Sequence, residues 1–162
     1  MAKAATDFAS FLTSVNPPYV HRILAEKTEL EQAVRDAEIS HLFEVELGHC
    51  SSLSDAFRSF MTGLSLPYRN LNTDAFVDVM RDLHPINPKG AFVVILSQAD
   101  LFLRRNTSGF EELTSLLNSI GSEWAKAIAH GSQFDRPSVA FHVLVPVSSS
   151  IRLPLPAADY PL

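Results

Sequence analysis

Ala91-Phe-Val-Val-Ile-Leu96 is an uninterrupted apolar run rich in β-branched residues, preceded by the turn-forming Asn87-Pro-Lys-Gly90. Such a run suits a central strand covered on both faces, because a strand with one wet side has to alternate. Upstream, Leu42-Phe-Glu-Val-Glu-Leu47 does alternate, with Phe43, Val45 and Leu47 on one side and Glu44 and Glu46 on the other. Downstream, Val139-Ala-Phe-His-Val-Leu-Val145 reads as a further strand. Helical patterns separate the three. Ser52-x-x-Asp55 has capping-box spacing and opens a helix whose core face is Leu53, Phe57, Phe60, Met61 and Leu64, ended by Gly63 and Ser65-Leu-Pro67. Thr73 to Leu83 carries a narrow apolar seam of Ala75, Phe76, Val79, Met80 and Leu83. A long helix is expected from about Gly109 to Ala129, with Phe110, Leu113, Leu117, Ile120, Trp124 and Ile128 at helical spacing and Gly131 as its stop. Strands alternating with helices require crossover connections and therefore parallel pairing. The expected fold is a small α/β domain, a three-stranded parallel sheet packed by helices on one face and at the edges.

Outward from that core, residues 1–40 read as a helical extension. Thr6 to Val15 is a short helix with Phe8, Phe11 and Leu12 on one face, stopped by Asn16-Pro17-Pro18. Thr28 to Ala37 is a second, with Thr28 and Glu31 at capping-box spacing and Leu30, Ala33, Val34 and Ala37 as its stripe. The α/β domain is expected over 41–146. The Ser- and Pro-rich tail of 147–162 is expected to be loosely ordered or wrapped on the surface.

The chain has 162 residues, 46% hydrophobic and 19% charged, enough for a full core and too apolar for a disordered segment. No apolar run approaches the roughly 18 residues that span a bilayer. The start, Met1-Ala-Lys-Ala-Ala-Thr-Asp7, lacks the apolar core of a signal peptide, so a cytoplasmic protein without a membrane partner is expected. Net charge −5 argues against direct nucleic-acid binding, which draws on a positive surface, and leaves a basic protein partner open. The one cysteine, Cys50, has no disulfide partner in the chain and belongs to no zinc pattern. His21, His41, His49, His84, His130 and His142 show no i, i+4 pair, so no metal and no cofactor are expected. His49-Cys50 reads as a structural cysteine rather than a reactive thiol, and Asn106-Thr-Ser108 as part of a solvated turn following Arg104-Arg105.

The specific chemistry lies on the Thr73–Leu83 helix. Asp74 and Asp78 stand four residues apart, opposite the apolar seam, and Asp82 continues the row with Arg81 beside it. The helix dipole favours Asp74 in the first turn, whereas Asp78 in the second turn repels Asp74 and gains nothing from the dipole. A row that a free helix would do better without is a candidate binding surface. Catalysis by Asp74 and Asp78 as an acid–base pair would need a concave site and a second group, and the motif offers neither.

Leu66-Pro67-Tyr68, Asn72, Asp74-Ala75-Phe76, Asp78 and Asp82-Leu83 together resemble the central signature of the barstar family, and the order of elements from about Pro17 to Val145 is similar to that of its longer bacterial members. The resemblance implies a non-enzymatic inhibitor or immunity protein that plugs the basic active site of a ribonuclease or nuclease toxin. By position it implies Asp78 as the dominant acid, Asp74 as a second contact, Tyr68 stacked on the partner, and Asn72 orienting the loop. The backbone around Asn70 and Leu71 would give support, with Val77, Arg81 and Asp82 completing the surface. The sequence departs from the family pattern at Asn70, where glycine is frequent, at Thr73, where an apolar residue is common, and at Val77, where a tryptophan often stands. A glutamate that some members carry on the long helix falls near Ser119. Asn70 reaches positive φ more readily than most residues. The same fold and acidic helix would also serve a non-inhibitory interaction module with a non-nuclease partner.

Overall fold

The computed structural model describes residues 2–158 and 160, leaving Met1 and residues 159, 161 and 162 of the tail outside the described residues. The order is α1 (Ala2–Leu12), β1 (Val20–Leu24), α2 (Lys27–Asp36), β2 (His41–Glu46), α3 (Leu53–Gly63), α4 (Thr73–Asp82), β3 (Ala91–Ser97), α5 (Ala99–Arg105), α6 (Thr107–Trp124) and β4 (Ala140–Val147). The strands form one sheet in the order β1-β4-β3-β2, every neighbouring pair parallel. The α/β class and the parallel sheet agree with the sequence, but the sheet has four strands rather than three. The added strand comes from the segment read as purely helical: Val20 to Leu24 pairs with Val143 to Val147 at the β4 edge.

Why β3 is apolar throughout is now plain. Phe92, Val94 and Leu96 enter one core, with Phe57, Phe60, Phe76, Met80, Leu113, Leu117, Ile120 and Trp124 of the helices. Val93 and Ile95 point the other way, into a second core with Ile23, Leu144, Phe8 and Leu12 of α1 and Leu30 and Val34 of α2. Helices therefore cover both faces, not one face and the edges. Each fully buried Leu, Ile or Phe here contributes roughly 1.5–3 kcal/mol relative to exposure.

Several boundaries move, each with a local cause. The cap of α2 is Glu26, reciprocating with Glu29, instead of Thr28 with Glu31. Arg104-Arg105, read only as the approach to a solvated turn, end a helix, α5, opened by Gln98 in the left-handed region (φ 55°). The long helix stops at Trp124 because its terminal carbonyl is taken by Val139 N–H (2.8 Å), while Arg136 donates to the Glu123 and Lys126 carbonyls. Asn106 is no idle turn residue: its side chain accepts from Gly109 N–H and caps α6. The tail runs beside β1, where Arg22 N–H donates to the Pro156 carbonyl and Ala158 N–H to the Arg22 carbonyl, with Leu153 and Leu155 buried.

Candidate functional site

The site begins with how α4 is held. Phe76 and Met80 are its buried residues; Phe76 stacks on Phe57 of α3 with ring centroids 4.1 Å apart and meets Phe60 edge-on. At the other end the Trp124 indole N–H donates to the Met80 carbonyl at 2.8 Å, and the Arg136 guanidinium lies 4.1 Å above the indole ring. Asn72 is the N-cap, its side-chain oxygen accepting from Ala75 N–H at 2.9 Å. Leu83, left-handed at φ 47°, closes the C-terminus. Both ends and one face of α4 are thereby fixed, and its opposite face is turned outward.

On that outer face Asp74, Asp78, Arg81 and Asp82 are exposed. Helical geometry sets successive i, i+4 side chains about 5–6 Å apart. Among the described residues none of the three aspartates lies in an ion pair, whereas Asp55, Asp100, Glu31, Glu44 and Glu123 all do. Val77, between the two key aspartates, is half-buried and packed against the core rather than presented.

The preceding loop is shaped by two left-handed residues, Ser65 and Asn70, both at φ 54°. Asn70 thus makes the turn for which glycine would otherwise be suited, since asparagine tolerates this region. Leu66 is buried and its N–H donates to the Met61 carbonyl at 2.8 Å, while Leu71 packs partly against the core. These two anchors leave Tyr68 standing 37% exposed, with Asn70 and Asn72 also at the surface. Between the loop and α3 runs a cleft of about 510 Å³, lined by Arg58, Met61, Thr62, Pro67, Tyr68 and Arg69 among others. Sequence reasoning missed this cleft, because Arg58 and Arg69 belong to different elements and show no joint periodicity.

The structure thus brings the sequence-predicted residues Tyr68, Asn70, Leu71, Asn72, Asp74, Val77, Asp78, Arg81 and Asp82 onto one continuous loop and helix. Leu71 and Val77 face inward; the rest face outward. Ser119 of α6 is exposed and carries no charge. Cys50 is buried with its Sγ 3.3 Å from Ser59 Oγ, and burial pushes the thiol pKa up, which suits a structural role. No group of three or more ligating side chains that could hold a metal occurs among the described residues.

Residues 40–145 match the family model described as Barstar (barnase inhibitor). The chain belongs to the barstar family. In barstar terms β2, β3, the helices between them and the greater part of β4 lie within the matched span, whereas α1, β1 and α2 precede it. No curated protein matches the sequence. A chain in the structure of Drosophila ORC bound to AT-rich DNA and Cdc6 superposes with a TM-score of 0.54 at 14% identity, over 91% of this chain and 45% of that one. At that identity the likeness is one of fold alone, and this barstar-family chain spans under half the length of the solved chain. No described helix is long and apolar enough to cross a membrane.

Proposed function

We propose that this protein is a one-to-one inhibitor of a basic ribonuclease, an immunity protein kept in the cytoplasm of a bacterium that makes or meets the nuclease. The inhibitory unit is 41–146, to which 1–40 and 147–162 are additions. The observation that carries the reading is the row Asp74, Asp78 and Asp82, rigidly held and exposed and without ion pairs among the described residues. Ribonuclease active sites are basic because they stabilise phosphate. A fixed row of carboxylates mimics that substrate, and opposite fields steer the encounter. Asp78 is the central acid, Asp74 the second, Tyr68 a stacking contact, and Asn72 the residue that sets the loop; Asn70, Leu71, Val77, Arg81 and Asp82 frame them. Neither cofactor nor catalysis is involved.

Capture from native lysate with wild type and Asp74→Ala/Asp78→Ala side by side, followed by assay of the dissociated eluate for RNA cleavage, tests the reading. A small basic ribonuclease retained by wild type alone supports it. A partner retained equally by both, or one without nuclease activity, overturns it. One observation favours a second reading, a non-inhibitory interaction module: the residue between the two aspartates is Val77, half-buried against the core, so no aromatic anchor stands there.

A further inference from the structure

Beneath α1, His21 of β1 and His142 of β4 lie side by side on the second face of the sheet, with ring centroids 6.1 Å apart. They are 7% and 1% exposed. His142 Nε2 is 2.8 Å from the carbonyl oxygen of Ser14, and His21 Nε2 is 2.6 Å from that of Pro18. A carbonyl only accepts, so both rings carry their proton on Nε2. Both Nδ1 atoms are then bare lone pairs, and both are buried without a hydrogen-bond partner. The Phe11 ring sits 4.9 Å from His21 and 4.8 Å from His142, and Tyr160 of the tail stacks on Phe11 at 4.7 Å. Buried unpartnered polar atoms are rare in native structures, and two in contact call for an account.

We propose that His21 and His142 form an acid-released clasp, holding α1 and the tail on the sheet while both rings are neutral and letting them go when either is protonated. The two carbonyls they hold, Ser14 and Pro18, lie on the connection from α1 to β1, so the rings act directly on the segment that seats the helix. Protonation would add an N–H at Nδ1 with no acceptor, and a cation set against Phe11 and a second histidine. Few neighbouring charges offset that. β4 has no other ionisable residue; on α1 Asp7 is exposed and the Lys3 side chain lies outside those described; Arg22 of β1 directs its Nε to the Leu155 carbonyl; Arg152 of the tail is exposed; Asp159 lies outside the described residues. Among the described residues the one charge that acts on His142 is that of His21, which opposes protonation. Burial accordingly lowers the His142 pKa to about 4, and lowers that of His21. A ring held near 4 when seated and at its ordinary 6.5 when released favours release progressively as pH falls from 6.5 to 4. For His142 alone the docking equilibrium moves toward release by about 80-fold over that window, and above pH 6.5 it changes little further.

Nitrogen-15 and proton NMR of the full wild-type chain from pH 7.5 to 3.5 tests this without any substitution. The expected result is the Nε2–H tautomer for both rings, a neutral His142 at pH 5.5, and loss of the native amide positions of residues 9–14 in step with ring protonation. Positions in β3 and α6 should stay native. His142→Leu, and separately His142→Gln in case the leucine disturbs packing, should shift or flatten the pH dependence of the α1 signals. His142 becoming protonated well above pH 4 with α1 still seated, an Nδ1–H tautomer, or the whole molecule unfolding in one step with α1 would overturn the clasp.

Discussion

Asp78 sits in the second turn of α4, beyond the reach of the N-terminal dipole and one turn from a like charge. A carboxylate so placed does little for its own helix, which makes it the most telling single substitution. Truncating one member of a charge pair buried against a partner costs about 2–5 kcal/mol, much of it from the opposite charge left unpaired. If the proposed ribonuclease complex forms, Asp78→Ala is expected to weaken it by that amount in titration calorimetry, with unchanged unfolding of the free chain. Glu44→Ala should change binding little, because Glu44 is already engaged by Lys27 at 2.8 Å and Ser97 at 3.2 Å. Trp124 tests the support behind the row. Trp124→Phe removes the indole donor from the Met80 carbonyl, and the guanidinium stacking of Arg136 weakens with it. We expect a loss of about 1–3 kcal/mol in urea unfolding, and a weaker complex through looser seating of α4.

At the scale of elements, two small residues set how α3 and α4 meet the rest. Asn72→Ala deletes the cap of α4 and should lower stability by about 1 kcal/mol, with Asn72→Ser recovering most of it. Gly63, the last residue of α3, lies against the β2 backbone; a Cβ there would collide with the Glu44 carbonyl oxygen and come 2.9 Å from Val45 Cγ2. Backbone cannot step aside as a side chain can, so Gly63→Ala is expected to destabilise by about 1–3 kcal/mol in thermal unfolding. The elements that the sequence disclosed are those with local signals. Ser52 and Asp55 cap each other as their spacing requires, β3 is apolar on both faces because both are covered, and the α4 seam is the buried seam. What stayed hidden depended on distant partners. Val20-His-Arg-Ile-Leu24 shows no alternation that marks a strand, since His21 is buried through a bond to Pro18 and Arg22 is held by the tail. The end of α6 was set by Val139 and Arg136, residues well past any helical pattern. In the site, the outward aspartates were legible from period alone, whereas the cleft beside Tyr68 needed α3 and the loop in their folded places.

For the molecule as a whole, a net charge of −5 and an acidic helix predict steered association. Stopped-flow association with the proposed basic partner should slow steeply between low salt and 1 M, where the Debye length falls to about 3 Å, while dissociation changes far less. Deleting residues 148–162 would strip the tail from β1 and expose an unpaired strand edge as well as the pockets of Leu153 and Leu155. Such edges template pairing with other chains, so the shortened protein should unfold earlier and self-associate in sedimentation or light scattering. The strand order also governs how the chain emerges from the ribosome. Among the four described strands β1 is the first made, and its one strand neighbour is β4, the last of them, Val20 opposite Val143. At about 5–20 residues per second the intervening residues take roughly 6–25 s to synthesise. Throughout that interval β1 has no strand of the sheet to join, so its apolar residues stay open to chaperones, and the four-stranded sheet is completed only once β4 has been made.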